Sequence, residues 1–197
     1  MAALLKLVVA ASLCAAAPVP SAPPTVYRID TGHSDVTFRI RHFMSRVSGT
    51  FNQWEGTITA DPADWTTGTV EVTIQAASID TRHERRDNDL RSDNFFDVAT
   101  HPTITFRSTS VTVDGARLTI AGDLTMRGVT KPVVLEGEFL GRMGEGTARE
   151  RIGFAARTRI DRTAFGVTWN RAVEGGGVML GDEVDIEIAV EAVKRQE

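Results

Sequence analysis

Residues 151–161 read RIGFAARTRID, and this stretch decides the fold. Ile152, Phe154, Ala156, Thr158 and Ile160 fall on every second position, and the charged residues Arg151, Arg157, Arg159 and Asp161 all have the other parity. Because successive side chains of a β-strand point to opposite faces of the sheet, the alternation gives one apolar face and one hydrated face. The stretch therefore predicts a half-buried antiparallel strand.

The same period of two recurs along most of the chain. Further runs of this kind occupy residues 35–42, 70–75, 104–107, 118–126, 133–139 and 185–192. Turn signals separate the runs, and Asp114-Gly115 is a strong hairpin signal. A change of parity between Phe106 and Val111 predicts a bulge. About eight strands at hairpin spacing predict either an all-β sandwich or a closed barrel.

Two further features bear on the architecture. Three runs contain an interior glycine, Gly122, Gly137 or Gly153, which favours a barrel because sharply coiled strands need glycine at their corners. The segment 82–99 is mostly charged and breaks the alternation, so it predicts a short helix capped by Asp80 or Thr81. A second short helical or irregular piece is predicted over 43–47, and both pieces would cover a barrel end as lids or plugs.

The composition is that of one globular domain. The chain has 197 residues, of which 42% are hydrophobic and 24% are charged, as in ordinary folded proteins. The net charge is −4, which gives no general attraction to nucleic acid. We therefore expect no nucleic-acid partner.

Residues 1–22 are typical of a secretory signal peptide. Lys6 is their only charged residue, an apolar run over 7–17 follows it, and cleavage is predicted after Ala17 or Ala22. The apolar run is too short to span a bilayer. We therefore expect no stable membrane insertion of the mature chain.

The mature domain is predicted to be residues 23–197. Cys14 is the only cysteine of the chain and would leave with the signal peptide, so the fold is expected to need no disulfide. A thiol-free exported chain favours the bacterial periplasm over a disulfide-rich extracellular setting.

A series of ordered motifs resembles a known family. The motifs are YRID at 27–30, HSDVTF at 33–38, RHFM at 41–44, ASIDT at 77–81, LRS at 90–92, FFD at 95–97, HPTITF at 101–106, GDLTMRGVT at 122–130, FGVTWN at 165–170 and LGDEV at 180–184. In this order they resemble the YceI-like family of periplasmic, polyisoprenoid-binding proteins. The resemblance covers essentially the whole mature chain. It departs from the family at Asp89, where relatives often carry His, so any role of that His does not transfer.

The resemblance implies an all-β fold, namely an eight-stranded antiparallel lipocalin-like β-barrel with one or two short helices across its ends. It also implies that a long apolar isoprenoid lipid or isoprenoid quinone lies inside the barrel. The lipocalin G-x-W signature itself is absent, since Gly49 and Trp54 are spaced too widely.

The inward side chains decide whether such a barrel is filled or hollow, because eight strands leave room for packed side chains or for one small ligand. Several inward positions are small: Ala76, Ser108, Gly122, Gly137, Ala156 and Thr158. Together with the resemblance, they favour an apolar channel over a packed core. The predicted ligand-binding residues are Phe38, Ile40, His42, Phe43, Met44, Val72, Ile74, Phe106, Ile120, Leu124, Phe139, Phe154, Phe165 and Trp169.

Some of these residues have more than one interpretation. His42 shares the parity of its apolar neighbours, so it is predicted at the barrel mouth, bonded to a quinone carbonyl or simply to a neighbouring carbonyl. Trp169 is predicted as a cavity wall or as a plug. The arginines of 82–91 are predicted to meet a lipid phosphate or to form a solvated face, with Phe95 and Phe96 anchoring that segment.

Nothing in the sequence points to catalysis or to a resident cofactor. The four histidines lack metal-ligand spacing, and no nucleophile elbow or phosphate-binding glycine loop occurs. We therefore predict a binding protein, not an enzyme, without a metal site or required cofactor. Two alternatives stay open: a redox accessory whose bound quinone carries the chemistry, and a homodimer instead of a monomer.

Overall fold

Eleven strand segments form one closed antiparallel barrel in the computed structural model, which describes residues 23–196. The segments are β1 (Thr25–Ile29), β2 (Asp35–His42), β3 (Ser45–Phe51), β4 (Trp54–Asp61), β5 (Asp64–Gln75), β6 (Ile79–Asp80), β7 (Thr103–Asp114), β8 (Arg117–Met126), β9 (Val129–Met143), β10 (Arg151–Asp161) and β11 (Leu180–Lys194). The described chain also contains helix α1 (Glu84–Arg91) and two 3-10 turns, Ala76–Ser78 and Arg162–Phe165. The predicted signal peptide, 1–22, lies outside the described residues.

The eleven segments make eight strands of the barrel because three of these strands are broken. β1 and β2 lie one after the other along the same edge of β11, with Ile29 opposite Ala192 and Asp35 opposite Ala189. β3 and β4 form a second broken strand, and β5 and β6 form a third. With β7 to β11 they complete the predicted eight-stranded antiparallel barrel.

Strands that follow one another in sequence pair around the ring, so the two barrel ends carry different connections. The helix end carries α1, the turns at 43–44 and 127–128, and the segment 162–179. The closed end carries the turns at 62–63 and 115–116, the loop 144–150, the start of β1 and the end of β11.

Two local predictions are confirmed in the hairpin of β7 and β8. Asp114 pairs with Arg117, and Gly115 in the turn between them has a φ of 60°, which glycine adopts without strain. The register shifts between Ser108 and Ser110. The bulge therefore lies where the change of parity predicts it.

The helix predicted in the charged segment forms, but another residue caps it. α1 begins after His83, whose Nδ1 accepts a hydrogen bond of 3.3 Å from the Arg86 amide. The Asp80 carboxylate instead accepts a bond of 2.7 Å from the Arg82 amide, and Thr81 is buried beneath the helix. The prediction that Asp80 or Thr81 caps the helix is therefore wrong.

The second piece, predicted to be helical or irregular over 43–47, is not a helix, and only its first two residues lie outside the strands. His42 pairs directly with Ser45, so Phe43 and Met44 form a two-residue turn between β2 and β3. Pairing with β2 satisfies the backbone of the residues that follow, whereas an isolated helical turn of five residues is unstable.

The buried apolar side chains form two clusters, one at each end of the barrel. The cluster at the helix end includes Phe51, Ile79, Phe95 and Phe165. The cluster at the closed end is formed by Tyr27, Ile29, Ile58, Ile152 and Ala192. The interior between the two clusters is hollow.

Candidate functional site

The barrel encloses a cavity of about 820 Å³, within the ~300–1,000 Å³ typical of small-molecule sites. All eight strands contribute to its wall, and nearly all of the contributed side chains are aliphatic or aromatic. Such a wall offers many dispersion contacts and few hydrogen bonds, so it favours an apolar guest.

Most of the side chains that the sequence indicates as ligand-binding meet in this wall. Ten of them line the cavity: Phe38, Ile40, His42, Val72, Ile74, Phe106, Ile120, Leu124, Phe154 and Trp169. The Trp169 ring also packs at 5.3 Å from the Phe95 ring, between their centroids. Of the two alternatives for Trp169, its position is that of a wall next to the helix end.

The other four predicted side chains do not line the cavity. Phe43 and Met44 are 49% and 90% exposed at the turn between β2 and β3, because that turn projects beyond the barrel. Phe165 is only 2% exposed and belongs to the core at the helix end. Phe139 lies behind the cavity wall, packed on Trp65 and Phe154.

Trp65 is a wall residue that the sequence analysis missed. Its parity differs from that of Val70, Val72 and Ile74 on the same strand, so the alternation alone assigns it to the outer face. The register of β4 and β5 shifts between Thr59 and Asp61, and this irregularity turns Trp65 inward. The sequence offered one indication that Trp65 lies in the wall, namely a large aromatic residue directly after a turn.

Trp65 closes one end of the cavity together with three other rings. Its ring centroid lies 6.2 Å from that of Tyr27 and 5.6 Å from those of Phe139 and Phe154, and the Arg142 guanidinium lies 5.6 Å from it. We call Tyr27, Trp65, Phe139 and Phe154 the aromatic floor. Trp65 and Phe154 line the cavity, and Phe139 and the fully buried Tyr27 pack behind them, so the cavity ends at this layer of rings.

A buried carboxylate supports the aromatic floor from below. Glu150 is 3% exposed and accepts hydrogen bonds of 2.6 Å from the Tyr27 hydroxyl and 3.1 Å from the Gly146 amide. Burial alone would raise the pKa of Glu150, but these hydrogen bonds and the nearby Arg142 lower it below its ordinary value. Burial and the bond to Glu150 raise the pKa of Tyr27 above its ordinary value of 10.0.

The cavity reaches the surface at the helix end. Exposed polar side chains join its lining there, next to Met179. We call this opening the mouth; its polar residues are His42, His83, Arg85, Arg86 and Asp89. Asp89 therefore lies at the entrance to the cavity.

A buried polar network fixes α1 over the mouth. The backbone amide and hydroxyl of Thr81 both donate to the Asp87 carboxylate. The Arg86 guanidinium in turn donates to the Thr81 hydroxyl at 2.7 Å and to its carbonyl at 2.8 Å. Because Arg86 lines the cavity, the network places a fixed positive charge beside the cavity.

Arg162 fixes the second segment that covers the helix end, residues 162–179, which we call the covering segment. Arg162 is only 4% exposed and donates to the carbonyl oxygens of Val167, Trp169 and Gly181 and to the Asp182 carboxylate. Burial lowers the pKa of Arg162, and the nearby acidic groups oppose that shift. One buried guanidinium therefore holds the chain that carries Trp169 against the barrel.

The small inward residues behave in two different ways. Ala156 and Thr158 line the cavity as expected. At Gly122, however, an added Cβ would lie 2.5 Å from the Phe106 ring. The space left by this glycine is therefore filled by an aromatic side chain, and the prediction that it widens the channel is wrong.

The described residues also bring together one cluster with metal-ligand atoms. Oxygen and nitrogen atoms of Asp30, His33 and Glu191 lie within 4.8 Å of one another. The Arg151 guanidinium donates to both carboxylates, so a protein cation is already paired with each of them. Within residues 23–196, no helix has the length and apolar character that crossing a bilayer requires.

Comparisons with known proteins agree with this architecture. The family model described as the YceI-like domain matches residues 27–192. Protein YceI of Escherichia coli O157:H7 is 40% identical over 179 residues, which cover 89% of this chain and 91% of that protein.

Solved structures share the fold. BcnA of Burkholderia cenocepacia superposes with a TM-score of 0.72 at 23% identity, covering 84% of this chain and 99% of that one. A polyisoprenoid binding domain from Saccharophagus degradans, implicated in plant cell wall breakdown, superposes with a TM-score of 0.64 at 17% identity, covering 87% and 99%. With the matched domain spanning nearly the whole described barrel, this chain belongs to the YceI-like family.

Proposed function

We propose that the barrel binds one isoprenoid lipid, with the apolar chain inside the cavity and the polar end at the mouth. The observation that carries this proposal is the blind apolar cavity, closed by the aromatic floor and open beside charged side chains. Burial of apolar surface favours binding by about 25 cal/mol per Å². A long hydrocarbon chain therefore gains free energy by filling the cavity.

The mouth favours a lipid with a polar end group. Arg85 and Arg86 offer charge-assisted hydrogen bonds, and the His42 imidazole can donate to a carbonyl oxygen. The second interaction favours an isoprenoid quinone as the guest. A relative of the same fold is described as a polyisoprenoid binding domain, which supports the isoprenoid class.

We further propose that the protein carries this lipid in the periplasm and is not an enzyme. Residues 1–22 are typical of an export signal. The cavity wall holds side chains suited to contact, not to proton transfer or nucleophilic attack. No resident cofactor is needed for this role, and the quinone would be cargo.

The direct test is to identify what co-purifies with the protein. Native mass spectrometry of the protein expressed with its leader, followed by solvent extraction, is expected to reveal an isoprenoid. Anaerobic reduction followed by ultraviolet absorbance then separates a quinone from an inert prenyl chain. Recovery of an empty protein that also fails to take up added isoprenoids would overturn the proposal.

A matched pair of variants locates the binding site. Ala156→Phe places a ring in the cavity wall and is expected to reduce bound lipid at least tenfold. Ala189→Phe, on the outer face of the neighbouring strand β11, is the control and should leave lipid content unchanged. Equal lipid loss in both variants would point to destabilisation, which thermal unfolding monitored by circular dichroism would detect.

A further inference from the structure

The helix end carries an exposed apolar tip that the cavity does not use. Phe43 and Met44 form the turn between β2 and β3 and are 49% and 90% exposed. Val178, on the neighbouring covering segment, is 41% exposed. Adjacent exposed apolar side chains rimmed by polar residues are typical of interaction sites.

Turn formation does not explain the choice of Phe43. Two-residue hairpin turns favour Gly, Asn and Asp, because their central residues need positive φ. Phe43 has a φ of 53°, a conformation that is strained for a bulky side chain. The turn therefore keeps an apolar tip despite a conformational cost.

The tip lies directly beside the mouth. His42 and Val47, on either side of it, both line the cavity. The Phe43 amide donates a hydrogen bond of 2.6 Å to the carbonyl oxygen of Met179, which also lines the cavity. A surface that receives Phe43 and Met44 would consequently face the cavity entrance.

Charged side chains of both signs surround the tip. The carboxylates of Asp182, Glu183 and Asp185, at the start of β11, are paired with Arg162, Arg159 and Arg46. The segments 41–47 and 170–180 also carry Arg41 and Arg171 against Glu174, so two arginines face one further carboxylate beside the tip. Apolar side chains surrounded by arginine match the interface of an anionic bilayer, where the former insert and the latter meet lipid headgroups.

We propose that the helix end docks on an anionic lipid bilayer, with Phe43 and Met44 inserted into the interface and Arg41 and Arg171 against the headgroups. The docked barrel presents its mouth to the membrane. In this arrangement a lipid moves from the bilayer to the cavity without crossing water. The transfer of lipid rests on the proposed function, whereas the docking on the bilayer does not.

Vesicle flotation tests the docking. With vesicles of phosphatidylethanolamine and phosphatidylglycerol, the wild-type protein is expected to float, and the Phe43→Ser/Met44→Ser variant to lose at least nine-tenths of the floated fraction. The control, Leu140→Ser/Met143→Ser, removes side chains that are 61% and 74% exposed on β9, toward the closed end, and should float like wild type. Equal flotation of both double variants, or none of the wild type, would overturn the proposal.

Two further measurements separate this proposal from its alternatives. Analytical ultracentrifugation tests a second copy as the occupant: a wild-type dimer that becomes monomeric in Phe43→Ser/Met44→Ser would overturn bilayer docking. Lipid extraction tests the proposed function independently. A wild-type protein that floats but never contains lipid would retain the docking surface and lose the carrier role.

Discussion

The Tyr27 hydroxyl donates a hydrogen bond of 2.6 Å to Oε1 of Glu150 at the closed end, and the two residues are separated by 123 positions in the chain. The bond joins the first strand to the loop before β10. Removing the hydroxyl in Tyr27→Phe leaves a buried carboxylate without its shortest partner, and such a loss costs about 1–3 kcal/mol. Urea unfolding at neutral pH should show this decrease with an unchanged m-value.

The same pair makes stability depend on pH on the acid side. The pKa of Glu150 in the folded protein lies below its ordinary value of 4.5. Ionised Glu150 therefore contributes fully to the free energy of unfolding at a pH above the pKa that this side chain has in the unfolded chain. This contribution is lost as the pH falls through the lower folded pKa. Tyr27→Phe removes the hydrogen bond that contributes most to lowering this pKa. The variant should therefore lose less stability than wild type between about pH 6 and pH 3.

Urea titrations across that pH range would measure the difference. Glu150→Gln, which cannot titrate, provides the control and should lack this contribution altogether. If the free energy of unfolding fell equally with pH in wild type and in both variants, the assignment to Glu150 would be wrong.

Substitutions at Gly49 and Phe38 should have coupled effects on the free energy of unfolding. A Cβ at Gly49 would lie 2.5 Å from Cζ of Phe38 and 2.8 Å from Cγ2 of Thr81, so Gly49→Ala forces the ring to move. We expect a loss of about 1–3 kcal/mol. In a Phe38→Leu background the loss should shrink by about 0.5 kcal/mol or more. A double-mutant cycle measured by urea unfolding would show additivity if the ring were not the obstacle.

Arg162 should control the order of the segment that covers the barrel. Arg162→Met leaves the carbonyl oxygens of Val167, Trp169 and Gly181 without their donor, at a cost of about 3 kcal/mol. Amide hydrogen exchange should accelerate over 167–181 and stay slow around Tyr27. Uniform acceleration across the barrel would instead indicate global destabilisation.

The turn at the apolar tip should be easy to stabilise. Phe43→Gly relieves the positive φ of Phe43 and is expected to raise the free energy of unfolding by about 0.5–1 kcal/mol. Thermal unfolding would measure the gain. A decrease would show that the exposed ring contributes packing to the folded state.

The alternation of side chains was enough to predict the antiparallel strands and most of the cavity lining, whereas the choice of a barrel over a sandwich needed the interior glycines and the family resemblance. Phe38, Ile74 and Phe106 each lie on a strand whose parity is uninterrupted over several residues, and each lines the cavity. Trp65 was missed because the strand irregularity beside it reverses the parity. A period of two predicts the inner face only between bulges.

Contacts between distant strands could not be predicted from the sequence. Nothing near Gly122 indicates that the Phe106 ring fills its place, because the two residues meet only across the pairing of β7 and β8. The partnership of Tyr27 with Glu150 likewise arises only when the ring of strands closes. Phe43 and Met44 were predicted to bind the ligand from a piece that covers a barrel end, whereas the two-residue turn directs them outward.

The aromatic floor determines how a bound molecule can enter and leave the barrel. Since Trp65 and its neighbouring rings block the far end, a guest must leave tail last by the route through which it entered. A protein that carries a lipid as proposed above would therefore exchange it at this one entrance, where a donor and an acceptor bind one after the other and not together.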